Sequence, residues 1–97
     1  MEITIQSVNF ETSVSLNEFI NKKLDKLSRF AEIRTAEVQL KILNTTDKAN
    51  KEIGIKIAVG DQQFFASRAA EAYEEAVAEA CDALERQIKK QKEKSKA

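Results

Sequence analysis

Histidine and proline are absent from this 97-residue sequence, cysteine occurs once and glycine twice. Without histidine, and with Cys81 as the one thiol, the usual zinc ligand sets and nucleophile–base pairs cannot be assembled. Gly54 and Gly60 are too few to build a glycine-rich phosphate loop. Carboxylates alone would have to serve as acid and base, and no pattern singles out a pair of them. The chain therefore reads as a non-enzyme that needs no cofactor, metal or small-molecule substrate. A lone cysteine rules out an internal disulfide, and the opening residues lack the basic, apolar and small-residue segments of a signal peptide. No apolar run approaches the roughly 20 residues of a membrane span. The expected location is the cytoplasm, away from any membrane.

What is present is charge, and it is sorted. Sixteen basic and sixteen acidic residues cancel over the whole chain. The last twelve residues, Arg86 to Ala97, hold six of the basic residues and one of the acidic, which leaves ten basic and fifteen acidic residues before them. A polyanion responds to the potential within about 8 Å at physiological salt, so a chain of zero net charge can still bind RNA at its basic end.

Periodicity divides the chain into six elements. Ile3 and Ile5 alternate with Thr4 and Gln6, the pattern of a strand over Glu2 to Val8. Leu16, Phe19, Ile20, Leu24, Leu27 and Ala31 then recur at helical spacing, predicting a helix to about Phe30. Ser13 or Ser15 is its N-cap, with Glu18 completing a capping box if Ser15 is used. The opposite face carries Lys22, Lys23, Lys26 and Arg29. Alternation returns in Ala36 to Ile42 and again in Ile53 to Val59, and Gly60–Asp61 forms a short hairpin turn into a strand from Gln62 to Arg68. From Ala69 the period becomes helical again, with Tyr73, Val77, Ala80, Cys81, Leu84 and Ile88 on one stripe. Cys81 on that stripe acts as a small hydrophobe. Phe64 and Phe65 are adjacent in a strand, so one faces the core and the other faces out.

One core fits 97 residues, giving a single domain over 1–97 in which about 90–97 form a frayed basic tail. The fold class is α+β: a β-α-β-β-β-α chain forming a four-stranded mixed sheet with two helices packed on one face. Side-by-side helices would merge the cations of the first with those at the C-terminal half of the second. The same cations have purely local uses as well. Lysines near a helix C-terminus favour the macrodipole by a few tenths of a kcal/mol each, and Glu79, Asp82, Glu85 and Glu93 are spaced to pair with basic neighbours.

Two segments carry a more specific signal: LNEFINKKLDKL from Leu16 to Leu27, and AYEEAVAEACDALERQIKKQKEK from Ala72 to Lys94. The second combines Glu71 two residues before Tyr73, small and aliphatic Ala76, Val77 and Leu84, and the unit Arg86–Gln87–Ile88 followed by Lys90, Lys92 and Lys94. With the order of elements and the length, the whole chain resembles the short ribosome hibernation-promoting factor and ribosome-associated inhibitor family. Glu71 stands where aspartate is commoner in that family, and Gln91 where some members have histidine.

The resemblance implies a topology like that of a double-stranded-RNA-binding domain. It also implies a bacterial translation inhibitor of stress or stationary phase that occupies the messenger and transfer RNA channel of the small ribosomal subunit. By position, the ribosomal-RNA contacts are Lys22, Lys23, Lys26 and Arg29 of the first helix and Arg86, Lys89, Lys90, Lys92 and Lys94 of the second. Lys23, Lys26, Arg86 and Lys90 match the family pattern most closely. Off the ribosome the expected state is a monomer, without the C-terminal domain by which long members pair two ribosomes. Two alternatives stand beside this reading. One is a protein-interaction module of the sigma-factor-modulator type, using the sheet edge or the Leu84 and Ile88 stripe. The other is a generic double-stranded-RNA binder.

Overall fold

A computed structural model describes residues 1–8 and 11–95, with side chains described as far as Lys92 at the C-terminal end. The elements are β1 (Glu2–Ser7), α1 (Val14–Leu27), β2 (Thr35–Ile42), β3 (Lys51–Val59), β4 (Gln62–Ala70) and α2 (Tyr73–Ser95). The strands lie in the order β1-β2-β3-β4, with β1 parallel to β2 and the other two pairings antiparallel. This is the expected α+β architecture.

The sheet forms where β-branched residues alternate with polar ones. Ala36, Val38 and Leu40 of β2 and Ile53, Ile55 and Ile57 of β3 are buried on one face, while Glu37, Gln39, Lys41 and Lys56 point into solvent on the other. Gly60 begins the two-residue turn between β3 and β4 with φ of 60°, a conformation that costs glycine nothing and most other residues about 1 kcal/mol or more. On β4 the two phenylalanines part as alternation requires: Phe64 packs against the core, and Phe65 is exposed on the open face.

Both helices cover the buried face. Leu16, Ile20, Leu24 and Leu27 of α1 join Val77, Ala80, Cys81, Leu84 and Ile88 of α2 in one cluster with the strand residues. Each large aliphatic chain so buried contributes roughly 1.5–3 kcal/mol. Among the described residues no polar or charged side chain is buried in this core. Leu84 and Ile88 are spent inside the fold, so the stripe they form offers no docking surface. Burial pushes the Cys81 thiol up to about 11, with a smaller opposing effect from Lys23, and it stays protonated at neutral pH.

Two boundaries differ from the sequence reading, the end of α1 and the start of α2, and the α1 cap that it left open between two serines is decided. Ser13 rather than Ser15 caps α1: its hydroxyl oxygen accepts from the Leu16 amide at 3.0 Å, which places Leu16, not Glu18, at the reciprocal capping-box position. At its other end α1 stops at Leu27, because Arg29 and Phe30 donate their amides to the carbonyls of Lys26 and Leu27, closing a tighter turn. Ala69 and Ala70 remain in β4, paired in register with Glu52 and Lys51, so the ladder prevails over the helical preference of alanine. The helix α2 runs from Tyr73 to Ser95. Lys96, Ala97 and Phe10 lie outside the described residues.

Candidate nucleic-acid interface

The charge of α2 changes sign along its length. Glu74 and Glu75 occupy its first turn, Glu79, Asp82 and Glu85 follow, and Arg86, Lys89, Lys90, Lys92 and Lys94 come last. That order suits the helix dipole at both ends. It also concentrates the cations on the part of α2 that runs beside the C-terminal end of α1.

Of the nine candidate residues, four lie on the outer face of the helices. Lys23, Lys89 and Lys92 lie at the seam between them, with Lys26 at the border of the two, and Arg29 and Lys94 belong to neither group. Lys22, Lys26, Arg86 and Lys90 each stand two positions from a buried core residue (Leu24, Leu24, Leu84 and Ile88), which on a helix is about 200° around the axis. They therefore share the outer face of the helical layer, exposed, and make no ion pair among the described residues. Lys26 has Lys22 and Lys23 as its neighbours one turn back, and Lys90 follows Arg86 at the same interval. Like charges so spaced cost a helix about 0.2–0.5 kcal/mol per pair. Local terms offset part of this cost: Lys26 lies in the last turn of α1, where the helix dipole favours it, and Glu18 and Asp82 stand one turn before Lys22 and Arg86.

The second set lies at the seam between the helices. Lys23 and Lys26 flank the groove there, facing Asp82 and Glu85 of α2. Lys23 also places its ammonium 5.5 Å from the centre of the Phe19 ring. Lys89 is held by Glu85 at 3.2 Å and sits 4.9 Å from the centre of the Phe30 ring, while the Lys92 ammonium donates to the Phe30 carbonyl. Lys89 and Lys92 thus fasten α2 to the turn after α1. Arg29 lies in that turn, exposed, rather than on the helical row with Lys22 and Lys26. Lys94 is on the helix, but its side chain is outside the described residues.

Two contacts depend on tertiary packing that the pattern does not reveal. Phe30 serves as the junction for two lysines about sixty residues away, and its only sequence signal is an apolar residue just past a helix end. Gln87 donates its amide to the Phe65 carbonyl at 3.0 Å, tying α2 to the edge strand. At the start of α2 the Tyr73 hydroxyl donates to the Lys41 carbonyl at 3.0 Å, and partial burial raises its pKa further above neutrality.

Among the described residues no cluster of three or more potential metal ligands occurs, and no helix is long and apolar enough to cross a membrane. Sheet and helices together define a two-layer α+β domain whose helical side carries sorted charge. The chain belongs to the family described as Sigma 54 modulation protein / S30EA ribosomal protein, whose model matches residues 3–96. Solved structures with the same fold include the N-terminal domain of Protein Y from Thermus thermophilus, at TM-score 0.79 and 22% identity over 93% of this chain and 98% of that one. A ribosomal subunit interface protein from Coxiella burnetii is equally similar, at TM-score 0.79 and 22% identity over 95% and 98%. No curated protein matches the sequence.

Proposed function

We infer that this protein binds the small ribosomal subunit through the outer face of its two helices and silences translation by occupying the channel for messenger and transfer RNA, as a hibernation factor of stress or stationary phase. The observation that carries this reading is the set of exposed cations, Lys22 and Lys26 on α1 and Arg86 and Lys90 on α2, that make no ion pair among the described residues, in a chain whose net charge is zero. Family membership supports it, and so does the fold shared with a protein described as a ribosomal subunit interface protein. Ribosomal RNA is the partner, and catalysis has no part in the mechanism.

Binding works by displacement of counterions and by fit. The lysines neutralise phosphates as mobile point charges, and the planar forks of Arg29 and Arg86 grip phosphate in a fixed orientation and set the pose. Lys23, Lys89, Lys92 and Lys94 add to the potential from the seam and the helix end. The domain excludes RNA ligands from the channel by its bulk.

Salt and charge reversal test the proposal. With about five phosphate contacts, the logarithm of the association constant with purified small subunits falls against log salt with a slope of roughly −4 to −5. Reversing Lys23, Lys26, Arg86 and Lys90 to glutamate abolishes co-sedimentation while circular dichroism reports the same fold. Unchanged co-sedimentation of that variant would sink the proposal. The family description also names sigma 54 modulation. A stoichiometric protein complex that survives nuclease and high salt would favour that second reading.

A further inference from the structure

The face of the sheet away from the helices carries a shallow cavity of about 410 Å³, and its floor is Gly54. A Cβ at that position would lie 3.5 Å from the Phe65 ring, so the ring leans across the gap that the missing side chain leaves. This packing fixes the ring on one side only. Phe65 is 58% exposed, and it is the one aromatic side chain among the described residues in the exposed class. Ser67 and Gln39 flank the same cavity with groups that can both donate and accept hydrogen bonds.

The position of the ring relative to the helical cations gives it meaning. Phe65 lies on β4, an edge strand, and its carbonyl accepts from Gln87, the residue that directly follows Arg86 and precedes Lys90 by three. The strand that presents the ring is thus tied to the stretch of α2 that presents the outer cations. A chain of phosphates could not continue from there across the open face, because Lys41 and Lys56 stand in register opposite Glu52 and Glu37 and leave no net positive path. A flat, uncharged group with a polar edge suits the exposed π face, which shares its cavity with Ser67 and Gln39 and whose cross-strand neighbour Lys56 stands opposite Glu37.

We propose that Phe65 is a stacking platform for one unpaired nucleobase of the RNA gripped by the helical face. The base lies against the exposed side of the ring, with Ser67 and Gln39 beside its edge. Such stacking tolerates any base, because every base has a π face. The proposal rests on the reading of the helical face as an RNA-binding surface and adds a second kind of contact to it.

Titration of the isotope-labelled full chain with oligoadenylate and oligouridylate hexamers tests it by nuclear magnetic resonance. The amides of Gly54 and Ser67 and the Phe65 ring protons shift on addition of RNA, with larger ring-current shifts for adenine. Phe65→Leu, which keeps an apolar cover over Gly54, loses those shifts and binds the hexamers at least about fivefold more weakly, whereas Phe65→Trp retains both. Wild-type hexamer affinity in the leucine variant, with helical amides shifting and Gly54 and Ser67 unmoved, would overturn the proposal and leave the helical reading standing. Lost association of that variant with small subunits at unchanged hexamer affinity would also overturn it, assigning the ring to a protein contact. If the variant with Lys23, Lys26, Arg86 and Lys90 reversed still binds small subunits, the helical reading fails and the stacking proposal falls with it.

Discussion

The two faces of this molecule use the same residue types in opposite ways. On the open side of the sheet, Lys41 and Lys56 stand across from Glu52 and Glu37, and Lys41 comes within 3.8 Å of the Glu52 carboxylate. On the helical side, Lys26 has lysines one turn back and Lys90 has Arg86. Cross-strand pairs of opposite charge help a sheet, whereas like charges one turn apart work against a helix. Overall neutrality therefore describes neither surface. The sheet pairs its opposite charges across strands, whereas the helices set like charges one turn apart alongside the Lys89–Glu85 pair, a cost that the proposed RNA partner would offset.

The comparison can be broken at several strengths. Fourfold reversal of the helical cations has the largest expected effect, loss of ribosome association with the fold retained. Leu84→Ala comes next, because both faces depend on one core. Removing this fully buried side chain costs about 2–5 kcal/mol, a large share of the roughly 5–15 kcal/mol that stabilises a small domain, and a urea melt reads it directly. Lys90→Gln then separates function from stability: the salt slope becomes shallower by about one unit, while the stability in the same melt changes by no more than about 0.5 kcal/mol. Glu52→Gln has the smallest effect. It costs at most about 1 kcal/mol as a partly exposed ion pair, and association with small subunits stays within about twofold of wild type. If Glu52→Gln weakened association as much as Lys90→Gln, the functional contrast between the faces would collapse.

Most of the fold is legible in the sequence because its signals are local. The isoleucines at 53, 55 and 57 mark β3 without help from any other segment, and Gly60–Asp61 marks the turn that follows. Misread boundaries arise where a distant partner decides. Ala69 and Ala70 suit a helix by themselves, and their pairing with Glu52 and Lys51 makes them strand. The choice of Ser13 over Ser15 turns on which residue opens the first turn, something periodicity leaves open by a residue or two. The candidate site shows the same division. Its lysines can be named from the pattern, but the engagement of Lys89 and Lys92 by Phe30, across the gap between two helices, depends on tertiary packing.

Three ties along α2 have a mechanical consequence. Tyr73 secures its beginning to β2, Gln87 secures its middle to β4, and Lys92 secures its far end to the turn after α1. A beam pinned at three points to three different supports can neither swing nor bow. The backbone positions from which its charged side chains project keep a fixed spacing, like the teeth of a key cut before it meets the lock. Binding of the proposed kind would then order side chains alone, on a backbone that folding has already fixed.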